Sequence, residues 1–258
     1  MPELPDLQAF AKNLTSLFAD QELQQIKIRN AAPLKDTEAD LKAALEGKTL
    51  KKVYREGKEL RYLFSNDVLL GMHLMLNGEL HLYDKNSEHK NTITKFHFNN
   101  SQGLVLTDWQ ARANIKLSPI DKAGIDALSA ELNEAYLAKQ CQRKKNIKAL
   151  LTDQDIVRGI GNAYVDEILW EARISPFSVS RAIPLGKVGD IAKAIKKVLL
   201  HAIDQIQKTH PGIITGEVRD FLVIHNPKAK NSPTGYPIKV EKKSGGGTYY
   251  TDEQVLYE

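Results

Sequence analysis

The chain has 258 residues, of which 42% are hydrophobic and 26% are charged, and its 36 basic and 32 acidic side chains give a net charge of +4. This length allows one large or two modest domains, and the composition is typical of a globular protein and not of a disordered one. No stretch approaches the roughly 18 uncharged apolar residues that span a bilayer, and the single cysteine, Cys141, excludes an internal disulfide and a cysteine zinc cluster.

The amino-terminal half is predicted to be mainly β-structure behind one helix. Apolar residues recur at helical spacing from Leu7 to Phe18, which predicts an amphipathic helix. From Val53 to Asp108, short β-rich runs alternate with turn residues, which predicts an antiparallel sandwich or barrel. Asn77-Gly78 is the strongest hairpin signal in the chain. The predicted strands are Leu60–Phe64, Val68–Leu74, Glu79–Tyr83, Thr92–Phe98 and Leu104–Thr107.

After Pro119 the pattern changes to apolar residues at three- and four-residue spacing, which predicts helices. Past His210, proline and glycine interrupt two short strand-like pieces, which indicates a terminal hairpin. The predicted helices are Ile125–Ala138, Lys144–Leu151, Ala163–Ala172 and Leu185–Lys208. We therefore expect an α+β protein with a β-sandwich domain over residues 1–118, a helical domain over 119–222 and a hairpin over 223–258.

Basic residues form two blocks, and the first of them contains no acidic residue. Such blocks suit a polyanion such as nucleic acid, although a solvated helix face would have the same composition. The blocks consist of Lys139, Arg143, Lys144, Lys145 and Lys148, and of Arg181, Lys187, Lys193, Lys196 and Lys197.

Pro2 is the first candidate for chemistry. Removal of the initiator methionine would leave a secondary amine at the chain end. An α-amino group has a pKa near 8, about 2.5 units below that of lysine, so a useful fraction is unprotonated and nucleophilic at neutral pH. Glu3 beside it could donate and accept protons. The alternative is an unstructured chain end.

A second candidate lies in the sequence RGIGNAYVDEILWEARISP, residues 158–176. Gly159 and Gly161 predict a tight turn, and Asn162 is expected at the cap of the following helix. Free N–H groups at a helix start, approached through glycines, form a good phosphate site. A simple helical hairpin is the alternative.

The chain carries four separated motifs: MPELPD at the start, Gly57-Lys58 in a strand pair, HLMLNG from His73 to Gly78, and GIGNAYVDEIL from Gly159 to Leu169. Together, and in this order, they resemble the formamidopyrimidine-DNA glycosylase and endonuclease VIII family. The resemblance implies that the helical domain is a helix-two-turn-helix DNA-binding domain. It also implies that the terminal hairpin is a finger.

The resemblance implies a role for each matching residue. Pro2 would attack the anomeric carbon of a damaged nucleotide and form a Schiff base that elimination resolves, and Glu3 would assist ring opening. Lys58 would contact phosphate at the lesion, Asn162 would bind a phosphate near the flipped nucleotide, and His73 is a further expected DNA contact. The nucleotide must be extruded because the chemistry cannot take place inside a stacked duplex.

The sequence departs from the family at the finger. The family often carries four cysteine zinc ligands there, but Asn231, Thr234, Thr251 and Gln254 occupy those positions. None is a thiolate, so we expect a zincless finger and no metal or cofactor. The finger's phosphate-contacting arginine has no clear counterpart, and Lys243 is the nearest substitute.

The residues that fill the space of the extruded base also differ. Leu76 matches the family's methionine and is an adequate apolar wedge. The family's DPRRFG becomes DWQARA over residues 108–113, so Trp109, Gln110 or Arg112 must serve there. After VRDF, residues 218–221, this chain also goes almost directly into LVIHN, which argues against dedicated 8-oxoguanine recognition.

Together these features predict a base-excision-repair DNA glycosylase with abasic-site lyase activity on oxidised bases. Its expected partner is double-stranded DNA with a damaged base or an abasic site. We expect a cytoplasmic, nucleoid-associated monomer that does not associate with membranes.

The main alternative is a non-catalytic protein of the same fold that binds damaged or abasic DNA. A helix-two-turn-helix module for RNA or ribosomes is a third, disfavoured by the intact MPELP start. If Met1 is retained, Pro2 is an amide and cannot act as a nucleophile.

Overall fold

The structure is a computed structural model that describes residues 1–65, 67–83, 88–243 and 246–258, with the side chain of Lys243 outside that description. The chain divides into two compact units. The first comprises Met1–Asp121 and Ile206–Glu217, and the second comprises Lys122–Gln205 and Val218–Glu258. Within the described part of the chain, no helix is long and apolar enough to cross a membrane.

The first unit holds two helices and an eight-stranded antiparallel sheet in the order β5-β7-β6-β1-β2-β3-β4-β8. Its elements are α1 (Leu4–Phe18), β1 (Glu22–Ile28), α2 (Glu38–Leu45), β2 (Lys48–Glu56), β3 (Glu59–Phe64), β4 (Leu69–His73), β5 (Glu79–Tyr83), β6 (Thr92–Phe98), β7 (Gly103–Thr107) and β8 (Asn114–Leu117).

The two halves of this sheet enclose one apolar core. β1 and β2 join the halves, with Leu23 opposite Lys48. Tyr62 from β3 stacks against Phe96 from β6 with 6.5 Å between ring centroids, so the halves face each other. The apolar face of α1 contributes to the same cluster of buried side chains. The predicted β-sandwich with flanking helices is confirmed.

The Asn77-Gly78 hairpin prediction is wrong. β4 pairs with β3 and β8, whereas β5 pairs with β7, so residues 74–78 cross from one half of the sandwich to the other. A two-residue hairpin needs glycine for its backbone conformation, but Gly78 is needed here for space. A Cβ on Gly78 would lie 2.3 Å from the Leu74 carbonyl oxygen and 2.8 Å from the Ala113 Cβ.

The second unit is mainly helical, as predicted, and ends in a β-hairpin. Its elements are β9 (Ile125–Asp126), α3 (Glu134–Cys141), α4 (Ile147–Leu151), β10 (Val157–Arg158), α5 (Asn162–Glu171), α6 (Leu185–Thr209, whose last turn clusters with the first unit), β11 (Lys239–Lys243) and β12 (Gly246–Tyr250).

The helix predicted from Ile125 to Ala138 is wrong over its first half. Ile125 and Asp126 pair in parallel with β10. The helix begins at Glu134, because the Asn133 side chain accepts a hydrogen bond from the Tyr136 backbone N–H and caps it there.

The first basic block does not form one continuous surface. Lys148 donates to Asp166 at 2.7 Å with its side chain 13% exposed, and Lys145 donates to Asp153 at 2.6 Å. Lys139, Arg143 and Lys144 remain exposed. The buried Cys141 at the end of α3 is no activated thiol, because burial raises its pKa to about 11.

Candidate active site and nucleic-acid interface

The amino end of α1 is buried and held by its own side chains. Pro2 and Glu3 are buried, and Glu3 is the N-cap of α1. The Glu3 backbone N–H donates to Asp6 Oδ2 at 2.9 Å, and Glu3 and Asp6 form a reciprocal capping box. The interpretation of this segment as an unstructured chain end is therefore wrong.

Two side-chain contacts orient α1 toward the turn that carries Lys58. Thr15 Oγ1 donates to the Val53 carbonyl and accepts from the Val53 N–H, both at 2.8 Å. Nearer the amino end of α1, Gln8 Oε1 accepts a hydrogen bond from Arg55 Nε at 3.1 Å. Because Val53 and Arg55 lead along β2 toward residues 57–58, the first turn of α1 points toward that turn.

The turn itself is a two-residue link between β2 and β3. Gly57 has a φ of +57°, which glycine adopts without strain. Arg55 Nη1 donates to the Gly57 carbonyl at 3.1 Å and so braces the turn from below. Lys58 is half-buried at this position. Pro2, Glu3 and Lys58 therefore belong to the same end of the first unit.

A carboxylate that the sequence analysis missed also lies at the amino terminus. The Met1 ammonium group forms an ion pair with Glu217 Oε1, and Glu217 belongs to the last segment of the first unit. No sequence signal points to this contact, because the two residues are separated by almost the whole chain.

The predicted wedge residues lie on two neighbouring turns. Leu76 is 56% exposed and Trp109 is 67% exposed. Arg112 is also exposed, whereas Gln110 is half-buried and its Oε1 is enclosed without a hydrogen-bond partner. His73, at the end of β4, accepts the Met75 backbone N–H on Nδ1 at 3.0 Å, so it braces the turn that carries Leu76.

In the second unit, the glycine turn before α5 is braced by a side chain that the sequence analysis missed. Gln154 Oε1 accepts from the Gly159 N–H, and Gln154 Nε2 donates to the Ile160 carbonyl, both at 2.9 Å. Gly159 has a φ of +103°. The N-cap of α5 is Gly161 and not Asn162 as predicted. The helix therefore begins one residue earlier than expected, and Asn162 is its first residue.

Asn162 lies against the finger strand β12. A Cβ on Gly246 would lie 3.0 Å from Asn162 Nδ2, closer than an ordinary van der Waals contact, and the φ of +138° at Gly246 also favours glycine there. The same strand is tied to α5 by the buried Asp166, which accepts from Lys148 Nζ at 2.7 Å and from the Tyr249 N–H at 3.0 Å. The side chain of Lys243, the substitute for the finger arginine, lies outside the described residues.

Glu167, the next residue of α5, holds the segment that follows VRDF. Its carboxylate accepts the backbone N–H groups of Val223, Ile224 and His225 at 3.2, 2.8 and 2.7 Å. Burial raises the pKa of Glu167, although these hydrogen bonds oppose the shift. Residues 223–225 are therefore fixed directly to the helix.

A carboxylate stands among the positions where the family carries zinc ligands. Glu253 accepts hydrogen bonds from Thr234 Oγ1 at 2.6 Å, Thr251 Oγ1 at 3.1 Å and Ser232 Oγ at 3.0 Å. Trp170 Nε1 at 3.2 Å and Arg173 Nη1 at 2.7 Å complete the shell. We call this group the Glu253 cluster.

Thr234 and Thr251 occupy two of the four positions at which the family carries zinc ligands, and both donate hydrogen bonds to Glu253. A third, Gln254, accepts the Thr251 N–H at 2.9 Å and donates to the Ile174 carbonyl at 2.8 Å. These hydroxyl and amide groups do not fit a structural zinc ion. Among residues 1–65, 67–83, 88–243 and 246–258, no group of three or more His, Cys, Asp or Glu side chains could hold a metal ion.

Burial disfavours the charged form of Glu253, but the hydrogen bonds from Thr234, Trp170, Ser232 and Thr251 outweigh it and hold its pKa at about 2. The cluster is therefore built around an ionised carboxylate at neutral pH.

The first unit is an antiparallel sandwich in which Pro2 is buried. The second is a helical unit in which a glycine turn precedes α5 and a hairpin follows. This combination is typical of a class of DNA-repair proteins. Residues 1–115 match the model of the formamidopyrimidine-DNA glycosylase N-terminal domain, and residues 123–211 match the model of the H2TH domain of the same glycosylase. The chain belongs to the formamidopyrimidine-DNA glycosylase family.

Individual relatives agree with this assignment. The chain is 31% identical to a formamidopyrimidine-DNA glycosylase of Lactobacillus johnsonii and 30% identical to one of Lactobacillus gasseri, in each case over 100% of both chains. Its fold is similar to that of the Lactococcus lactis enzyme non-covalently bound to DNA containing an abasic site, with a TM-score of 0.86 and 23% identity over 97% of this chain and 98% of that one. A MutM structure in complex with DNA containing carbocyclic 8-oxo-G gives a TM-score of 0.86 at 25% identity over the same shares.

Proposed function

We propose that this protein is a bifunctional DNA glycosylase and abasic-site lyase that uses the imino group of Pro2 as its nucleophile. One observation carries the proposal. The amino end of α1 is buried, capped and directed toward the Lys58 turn, within the segment that matches the glycosylase domain model. Chain ends are usually poorly ordered unless they are tied down, and this one is held in place.

The chemistry follows from a free secondary amine. Once Met1 is removed, the Pro2 nitrogen uses its lone pair to form a bond to C1′ of an extruded nucleotide, and the base leaves with the electrons of the glycosidic bond. Glu3 takes up the proton that the Pro2 nitrogen loses and delivers it to the ring oxygen O4′ as the C1′–O4′ bond breaks, and the nitrogen lone pair then forms an iminium ion with C1′. This electron sink acidifies C2′, and loss of a C2′ proton expels the 3′ phosphate.

The substrate that we propose is double-stranded DNA with an oxidised base or an abasic site. Relatives are formamidopyrimidine-DNA glycosylases, and a Lactococcus lactis protein of similar fold forms a complex with DNA containing an abasic site. Lys58 contacts phosphate at the lesion in the first unit, and Asn162 contacts phosphate in the second. Because Glu167 fixes residues 223–225 directly after VRDF, we do not assign 8-oxoguanine as a dedicated substrate.

Borohydride trapping on abasic DNA tests the catalytic part. Protein shown by intact mass to lack Met1 should give a covalent complex, whereas protein that retains Met1 and Pro2→Gly should give little or none. Failure of the processed protein to trap refutes the lyase proposal.

Equilibrium binding tests the phosphate contacts. Lys58→Ala and Asn162→Ala should weaken binding to abasic-site DNA, with Lys51→Ala, an exposed lysine of neighbouring β2, as the matched control. Unchanged affinity in both variants contradicts the placement of these contacts.

A second candidate function is binding of damaged or abasic DNA without turnover. The features that favour it are the departures from the family's sequence, where DWQARA over residues 108–113 replaces DPRRFG and the finger has no clear counterpart of the family's phosphate-contacting arginine. Strand nicking separates the two functions, since a non-catalytic protein binds abasic DNA but leaves it intact on a denaturing gel.

A further inference from the structure

The carboxylate of Glu217 lies at the start of the chain, and the segment that carries it is anchored to the first unit. Asn13 Nδ2 of α1 donates to the Ile213 carbonyl at 2.7 Å, and the Leu80 N–H of β5 donates to Thr215 Oγ1 at 3.2 Å. The residue between these two contacts is buried in the core of the sandwich. The fold of the unit therefore sets the position of Glu217, in addition to its ion pair with the terminal ammonium.

The same carboxylate is within reach of the Pro2 nitrogen. Three covalent bonds join the Met1 nitrogen, which pairs with Glu217, to the Pro2 nitrogen, so the two nitrogens are less than about 4 Å apart. Once Met1 is removed, the Pro2 imino group becomes the cationic chain end, and Glu217 brings a carboxylate to it from outside α1. The Glu3 and Asp6 carboxylates accept backbone N–H groups of α1 in the capping box.

We propose that Glu217 is an electrostatic partner of the Pro2 nitrogen, pairing with it as the ammonium before attack and as the iminium cation after the sugar ring has opened. This inference rests on the proposed function, because it needs the covalent intermediate. Glu217 neither takes up nor releases a proton in it. Glu3 carries the proton from the nitrogen to O4′, and Glu217 stabilises the positive charge that the iminium nitrogen bears.

The size of the effect follows from the exposure of the carboxylate. A negative charge held beside a reacting nitrogen stabilises a cation that forms there. The Glu217 side chain is 37% exposed, so water screens the pair and the effect is smaller than that of a buried charge. We expect the carboxylate to favour iminium formation by about 10-fold. It should change the rate of the covalent step more than the affinity for DNA.

Borohydride trapping at about pH 9, with saturating abasic-site DNA and protein that lacks Met1, tests the pairing. An ordinary α-amino group is mostly neutral at that pH, so the cation arises only during the reaction. The initial trapping rate should follow the charge at position 217. Glu217→Asp should stay within about 3-fold of the parent, Glu217→Gln should be about 10-fold slower, and Glu217→Lys should be about 100-fold slower. The matched control is Glu38→Gln, which removes a similarly exposed carboxylate from the ion pair with Lys42 and should change nothing.

Binding without chemistry separates the charge effect from a loss of structure. The affinity of Glu217→Gln for a duplex with a tetrahydrofuran abasic analogue, which cannot form a Schiff base, should stay within about 3-fold of the parent. The inference is overturned if Glu217→Gln traps as fast as the parent. It is also overturned if Glu217→Asp loses as much as Glu217→Gln, since a loss that ignores charge indicates a packing role. If the processed parent itself does not trap, the proposed function fails and this inference fails with it.

Discussion

Replacement of Glu253 by Gln provides the sharpest test of how the finger is held. Its carboxylate accepts hydrogen bonds from side chains on α5 and on both sides of the terminal hairpin. Gln keeps the shape but removes the charge, and its amide nitrogen faces donors that need an acceptor.

The magnitude follows from the pKa. A carboxyl group whose pKa falls from 4.5 to about 2 on folding contributes about 3 kcal/mol to the free energy of unfolding at neutral pH. Solvent at the edge of the cluster screens part of this, so we expect Glu253→Gln to cost about 2 kcal/mol. For a protein of this size, that lowers the melting temperature by about 4–8 °C.

The effect has a defined pH dependence. Well above pH 4.5 the carboxylate is ionised in both the folded and unfolded states, and the stabilisation is complete. As the pH falls from 4.5 toward 2, the unfolded chain takes up a proton before the folded one, so the stabilisation is lost. The difference between the parent and Glu253→Gln should therefore shrink over this range.

Thermal or urea unfolding of the full-length protein measures both effects. The matched control is Asp252→Asn, which breaks the exposed ion pair with Lys239 on the same hairpin and should cost less than about 0.5 kcal/mol. Equal losses in the two variants, or a difference that stays constant from pH 7 to pH 3, would refute the reasoning.

Three further expectations concern other parts of the molecule. Gly78→Ala should lower the melting temperature by several degrees, since its Cβ would meet the Leu74 carbonyl at 2.3 Å; an unchanged melt contradicts the close approach. Cys141 should resist thiol reagents at pH 8 in the folded state and react on unfolding, because burial raises its pKa to about 11; rapid native labelling would show an accessible thiolate. Affinity for abasic DNA should fall steeply between about 50 and 200 mM salt, and a flat dependence would argue against phosphate contacts as the main source of binding.

Elements with regular patterns could be predicted from the sequence. β5 and β6 have the predicted bounds, and α6 ends one residue later than predicted, because alternation and helical spacing are strong there. The strand β1 was missed because it buries few side chains and its ladder with β6 shifts register between Leu23 and Gln25, which breaks the two-residue period. β9 and β10 are two residues each and show no periodicity.

In the candidate site too, residues in local motifs could be predicted from the sequence, whereas residues that act through long-range contacts could not. Pro2, Lys58 and Asn162 could be found because each lies in a short local motif, and their roles stay predictions. Glu253 could not be found, because its partners come from segments far apart in the chain, and a lone glutamate near the end resembles any surface acid. Gln154 and Glu217 act through contacts that only the folded chain creates.

The Glu253 cluster determines how the attachment of the finger responds to oxidising conditions, in which oxidised bases arise. Fingers held by zinc thiolates lose their metal when peroxide converts cysteine sulfur to higher oxidation states. Carboxylate, hydroxyl and guanidinium groups do not undergo that conversion, so this hairpin stays attached to its helix under the same oxidant. The protein should thus keep its finger during the very stress that produces its proposed substrates.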